Sequence, residues 1–307
     1  MPIPRRGLLA AAGLMLSSAA TGQVIPARPK GDEAAERKRR QVAPNPMAVT
    51  QASFRDLFRQ GLKVDAFAAF LREKAGIPRA SWTASLLEGV QGDALKSLRA
   101  VNDAAGIRSV LLDPEMGPGL ASADATARAA AIERLKPWLD RAVGLGCVGV
   151  SIDLRGEGTY DDQYPRALEG LQAIMPLLKS AGQQGVIQSL GGMTSQGNFV
   201  AALLNKLGDA TIRAEPTFNS WHVSPNEDFA RLTGLKLLAP MAACVLADYT
   251  KFDDKGESVH FPTPYCMRAV RATDFRGPVV IHFNGQGDEL EGVLKAKALL
   301  MRNQVQP

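Results

Sequence analysis

The segment Leu145–Gly158, LGCVGVSIDLRGEG, decides the fold. A helix-like stretch closes on Gly146, and an apolar run suited to a buried strand, Cys147 to Leu154, follows at once. Glycine suits the position after a helix because it takes the left-handed conformation without a Cβ penalty. The same joint recurs at Gly76 before Ile77 to Leu87, Gly106 before Ile107 to Leu112, Gly182 before Val186 to Leu190, and Gly208 before Ala210 to Ala214. It recurs again at Gly234 before Leu237 to Leu246 and at Gly277 before Val279 to Phe283. Met47 to Phe54 supplies an opening strand, and an amphipathic helix from Asp288 to Arg302 closes the series. Eight strand-plus-helix units within about 250 residues predict a (β/α)8 TIM barrel. Such barrels carry their chemistry at the carboxyl ends of the strands, so functional residues are sought there.

The chain has 307 residues, 46% of them hydrophobic, which suffices for one large core. Its formal charge of +5 is confined to the amino terminus. Arg5 and Arg6 supply two charges, Arg28 to Arg40 holds six basic against three acidic residues, and the remainder balances. No basic face is left for a nucleic acid. Residues 1–22 read as an export signal, with Arg5-Arg6 ahead of the uncharged run Gly7 to Ala20 and small residues before a cut after Gly22. Arg5-Arg6-Gly7-Leu8-Leu9 resembles the twin-arginine export pattern, with Pro4 and Ala10 departing from its usual flanks. Residues 23–46 read as a flexible tether, leaving 47–307 for the barrel in a periplasmic or otherwise exported protein. The apolar run of the signal is short for a bilayer span, so no stable membrane insertion is expected after processing. Cys147, Cys244 and Cys266 show no metal spacing and are expected as buried, inert thiols, the first two inside strands and the third on a helix.

The strand ends name the candidates. The third strand runs into Asp113-Pro114-Glu115-Met116-Gly117-Pro118-Gly119, which suits a binding edge or a solvated turn equally. After the fourth, Asp153, Arg155 and Glu157 alternate outward as substrate-binding candidates, because a guanidinium between carboxylates can hold a polyhydroxylated or anionic ligand. A purely structural ion-pair cluster would look the same. Gln188 ends the fifth strand, Glu215 the sixth, and His282 and Asn284 the eighth. Gln188 and Asn284 are further substrate-binding candidates; His282 and Glu215 are the catalytic candidates.

At these residues the chain resembles the sugar phosphate isomerase/epimerase family, the xylose-isomerase-like barrels, and in particular an exported branch. The sharpest stretches are Arg155-Gly156-Glu157-Gly158-Thr159-Tyr160, Gly191-Gly192-Met193-Thr194-Ser195, Tyr249 through Gly256, and the last strand with Gly285. The resemblance implies one divalent metal held by a glutamate after strand five, an aspartate after strand six, a histidine after strand six or seven and a glutamate after strand eight. It also implies a two-base proton transfer by the first and last of these. Here the pattern Glu-Asn-His-Gly-Gly reads Gln188-Ser189-Leu190-Gly191-Gly192, the aspartate is best matched by Glu215, Val245 or Leu246 falls at the strand-seven position, and His282 stands for the last glutamate. Two negative charges are lost, so a hard divalent ion is expected to bind weakly or not at all, and any retained ion would use Glu215 and His282. Gln188 cannot accept a proton, which leaves His282 and Glu215 for acid–base work. The expected partner is a small carbohydrate, free, oxidised or oligomeric given export. Two functions stay open: an isomerase, epimerase or lyase with altered chemistry, and a non-catalytic sugar-binding barrel. The exported form is predicted to begin near Gln23, which amino-terminal sequencing reads directly; recovery of intact Met1 in the membrane fraction would contradict it.

Overall fold

The fold is that of a computed structural model describing residues 43–117, 119–219 and 226–307. The expected export signal and the tether through residue 42 lie outside the described residues. Eight parallel strands follow one another: β1 Asn45–Thr50, β2 Arg79–Thr83, β3 Arg108–Asp113, β4 Gly149–Ile152, β5 Gln184–Gln188, β6 Ile212–Glu215, β7 Val245–Tyr249 and β8 Val279–Phe283. Their order around the sheet is β6-β5-β4-β3-β2-β1-β8-β7, closed between first and last by Met47 against Val279 and Val49 against Ile281. Each strand is covered by helix on its outer face, which is why residues such as Gly149 to Ile152 are buried without interruption.

Between β6 and β7 the barrel is joined only by isolated bridges, Ala214 with Ala242 and Thr217 with Leu246. Pro216 follows β6 and brings no N–H to the seam, but its carbonyl accepts from Leu246 N at 3.0 Å, and Phe218 N donates to the Leu246 carbonyl at 2.9 Å. A two-residue strand β9, Val305–Gln306, pairs with Asn45 and Pro46 at the opposite end of β1. The first strand thus opens at Asn45, two residues ahead of the expected start.

The helices are α1 Arg55–Arg59, α2 Phe67–Phe70, α3 Gly92–Ala104, α4 Ala125–Leu145, α5 Tyr160–Ala181, α6 Gly197–Leu207, α7 Glu227–Leu238, α8 Thr263–Arg271 and α9 Glu289–Arg302. Five of the glycine joints are left-handed as expected, Gly76, Gly106, Gly146, Gly182 and Gly208, with φ between 60° and 68°. The other two do different work. Gly234 lies inside α7, so the run Leu237 to Leu246 begins as helix and only its end is strand. Gly277 permits close approach, since a Cβ there would meet the Phe275 ring and the Ala243 carbonyl. Cys147 and Cys244 sit in the turns ahead of β4 and β7 rather than inside the strands, Cys266 lies on α8, and all three are buried free thiols.

Helix starts are set by side-chain caps just beyond the strand ends. Thr159 and Asp162 form a reciprocal capping box at α5, Asp124 accepts from Thr126 N at α4, and Asp288 accepts from Glu291 N at α9. Inside the barrel, Ala48, Val110, Leu111, Val186, Cys244, Leu246 and Val280 form a small apolar plug separate from the larger core between strands and helices. Gly170 in α5 lies against the loop after β3, and a Cβ there would run into the Leu120 carbonyl oxygen. Helix propensity alone favours alanine over glycine by about 1 kcal/mol. We predict that Gly170→Ala nevertheless lowers the melting temperature, because overpacking costs about 1–3 kcal/mol, at about 2–4 °C per kcal/mol in a domain of this size. A raised melting temperature would show that the helix and loop are not in contact.

Candidate functional site

Side chains alternate between the two faces of a strand, so the residue two beyond an interior position faces the interior again. Leu111, Val186, Leu246 and Val280 belong to the plug. One layer nearer the carboxyl end stand Asp113, Gln188, Asp248 and His282, joined by Glu215, which the ladder sets opposite Gln188. Asp248 lies opposite His282 in the β7–β8 register, and their side chains meet, His282 Nδ1 to Asp248 Oδ1 at 3.3 Å. His282 is 25% exposed and faces the mouth rather than packing in the core.

Glu215 is buried, at 3% exposure, and Cys244 Sγ donates to its Oε1 at 3.1 Å. Loss of water pushes its pKa up to about 7, opposed by the Cys244 thiol and the Gln188 amide and reinforced by the neighbouring charge of Asp113. Asp113 is also raised, first by desolvation and then by the charge of Glu115, against the backbone N–H of Glu115 and the Gln188 side chain. Gln188, read from sequence as a substrate contact, thus stands beside two carboxyls, the buried Glu215 and the half-buried Asp113. The thiol of Cys244 is in turn held well above its ordinary range by burial and by Glu215.

Beside this layer opens a cavity of about 200 Å³ at the ends of β3, β4 and β5. Asp113, Ser151, Asp153, Arg155 and Gln188 give it polar walls, and Met116, Leu120 and Leu190 an apolar one. The remaining sequence candidates lie apart from it. Glu157 is exposed and accepts from Ala123 N at 2.9 Å, which ties the loop after β4 to the loop after β3. Asn284 is exposed, its backbone N–H bonded to the Tyr249 carbonyl. Glu215 and His282 adjoin the cavity's Asp113 electrostatically without lining it. Sequence reasoning passed over Asp248 as a site residue; its place one short of the end of β7, matching His282 in β8, is the signal that would have found it.

A divalent metal, implied by the resemblance, finds a poor donor set here. Among the described residues no three His, Cys, Asp or Glu side chains are grouped to hold an ion. Asp248 turns to His282 and Glu215 to Cys244, and Gln188 brings no charge.

The raised carboxyls have a consequence for stability. A folded-state pKa above the unfolded value gives stability that is complete below about pH 4 and is lost as pH rises through about 7. For Glu215 the difference between 4.5 and about 7 corresponds to about 3 kcal/mol. We predict that the melting temperature falls between pH 5 and pH 7.5 and that Glu215→Gln flattens this fall. Equal slopes in thermal melts of both proteins would show that Glu215 is not buried as an acid.

The profile of the xylose isomerase-like TIM barrel family matches residues 65–304. No match was found among curated proteins. Solved structures of similar fold include an IolI protein with a bound zinc atom, at 11% identity and a TM-score of 0.68, covering 84% of this chain and 97% of that one. A D-psicose 3-epimerase from Clostridium cellulolyticum H10, solved with D-tagatose, is 12% identical with a TM-score of 0.67, covering 85% of this chain and 100% of that one. A 3-keto-D-glucoside 4-epimerase from E. coli is 9% identical with a TM-score of 0.65, covering 84% and 99%. With eight parallel strands, a polar layer at their carboxyl ends and a profile match over most of its length, the chain belongs to the xylose isomerase-like TIM barrel family.

Proposed function

We propose that the protein is an exported carbohydrate-active barrel of the isomerase/epimerase type, in which His282 moves the proton that a metal-dependent relative would move between glutamates. The His282–Asp248 pair at the barrel mouth carries this reading. Asp248 Oδ1 lies 3.3 Å from Nδ1 without a hydrogen bond between them; in the proposed reaction the carboxylate pairs with Nδ1–H, which leaves Nε2 as the general base. A proton on carbon next to a carbonyl would pass to Nε2, and the imidazolium so formed would be stabilised by Asp248. Glu215, a carboxylic acid near neutral pH, is suited to giving a proton or a hydrogen bond to the developing oxyanion. Family membership supports sugar chemistry, and the sugar named with the D-psicose 3-epimerase structure points to a small carbohydrate ligand. Export rests on Arg5-Arg6 and the apolar run that follows. The altered metal site rests on Gln188 and His282 standing where the family pattern has glutamates.

One observation favours the second reading, a non-catalytic sugar-binding barrel: the cavity is walled by β3, β4 and β5 residues, and neither His282 nor Glu215 lines it. The two readings separate on one residue. As an enzyme, the protein should lose turnover on His282→Gln while keeping its melting temperature and most of its ligand affinity. Asp248→Asn should lower kcat by about 100-fold with little change in KM, as befits a group that orients a base. As a binding protein it has no turnover to lose, and both variants shift affinity only modestly. Unfolding of His282→Gln with unaltered ligand binding in the surviving fraction would remove His282 from the site.

A further inference from the structure

Arg155 is the only cationic side chain among the described residues lining the cavity, which also carries the carboxylates of Asp113, Glu115 and Asp153. One edge of its guanidinium, Nε with Nη2, is turned onto Asp153, and the carboxylate balances its charge. Nε donates to both Asp153 oxygens, at 3.0 and 3.1 Å, and Nη2 donates to Oδ2 at 2.7 Å. The Arg155 backbone N–H donates to the same carboxylate at 2.9 Å, so the pair is locked across two residues of chain. A second arginine, Arg55, is paired with a carboxylate of the cavity wall. Arg55 donates to Glu115 at 2.7 Å and to Ser85 Oγ at 3.1 Å, while the other Glu115 oxygen accepts Ser85 N.

The turn that carries Glu115 is held firmly enough to keep a non-glycine residue at a φ of 48°, with its N–H on Asp113 Oδ1 at 2.9 Å. Both arginines are therefore neutralised by carboxylates the fold fixes in place, and Asp113 is left over as an acid or an anion. The other polar groups, Ser151 and the Gln188 amide, are neutral, and Met116, Leu120 and Leu190 offer an apolar surface. At about 200 Å³ the cavity lies below the ~300 Å³ at which ordinary small-molecule sites begin, which suits one sugar ring rather than a chain.

We infer that Asp153 is a specificity-determining residue: by balancing the charge of Arg155 in a cavity that holds two further carboxylates, it makes the cavity selective for uncharged sugars and against their phosphorylated or carboxylate counterparts. This deepens the carbohydrate reading above and rests on it. A phosphate or uronate group entering here would meet carboxylates, with the one guanidinium in the wall already engaged; like-charge juxtaposition rejects such a ligand. A neutral sugar instead donates its hydroxyls to Asp113 and Gln188 and lays its C–H face on the apolar wall.

The test is calorimetric titration of the purified protein with D-glucose, D-galactose and D-fructose, their 6-phosphates, and D-glucuronate and D-galacturonate. The wild type is expected to bind at least one neutral sugar at least tenfold more tightly than its anionic counterpart. Asp153→Asn, which frees the guanidinium, should reduce that ratio at least tenfold, mostly by gained anion affinity. The double variant Asp153→Asn, Arg155→Gln should lose the gain. Tighter binding of an anionic member by the wild type overturns the inference while leaving a sugar site in place, as does an unchanged ratio in a folded Asp153→Asn protein. Should that variant fail to fold, Arg155→Gln decides: loss of neutral-sugar affinity by more than about tenfold would show that the guanidinium serves the ligand. No binding of any member overturns the carbohydrate reading and this inference with it.

Discussion

The pleat of a parallel strand is the constraint on which the rest of this molecule depends. Once Leu111, Val186, Leu246 and Val280 are committed to the barrel plug, Asp113, Gln188, Asp248 and His282 must face inward one layer above them. A slip of one residue in any ladder would put the polar side chain among the covering helices and an apolar one at the mouth. Burial of the plug therefore fixes the polar ring as firmly as it fixes the core. The register of β7 on β8 then does the finer work of setting Asp248 beside His282.

The same plug determines the electrostatics. It keeps water from the underside of the polar layer, so the pKa of Glu215 is pushed up to about 7 and that of Asp113 is raised, in both chiefly by desolvation. Cys244 belongs to the plug and donates to Glu215 from below. A buried thiol that would otherwise be an inert packing residue is thus the one group that satisfies the acid from the interior. The arrangement costs stability at neutral pH and leaves a carboxylic acid available there.

Basic side chains at the mouth obey a single pattern, each beside a carboxylate: Arg55 with Glu115, Arg155 with Asp153 and His282 with Asp248. Two of these pairs have structural results: Arg55 with Glu115 ties the loop after β1 to the loop after β3, and both balance guanidinium charges that would attract anions. In the third, the carboxylate lies 3.3 Å from one imidazole nitrogen, close enough to orient the ring in the proposed reaction. On the proposed function, chemistry and selectivity fall to different strands, proton transfer to β7 and β8 and ligand recognition to β3, β4 and β5.

The barrel was legible in the chain because its signals are local. A helix end needs a left-handed residue, which Gly76, Gly106, Gly146, Gly182 and Gly208 supply, and a strand buried on both faces needs an unbroken apolar run. Where a glycine served packing rather than conformation, as at Gly234 and Gly277, the local signal misplaced a boundary. His282, Glu215 and Gln188 were found because position at a strand end is also local. Their partners were decided only by tertiary structure. The bond from Cys244 to Glu215 spans a seam between strands, Asp248 meets His282 only through the register of two strands, and the Nε–Nη2 edge of Arg155 is turned onto Asp153 by a rotamer that no spacing specifies. Sequence by itself determined which residues stand at the mouth of the barrel, since that follows from propensity and period along one chain. Which charges neutralise one another, and so which ligand the mouth accepts, depends on distances across the barrel that exist only once the sheet has closed.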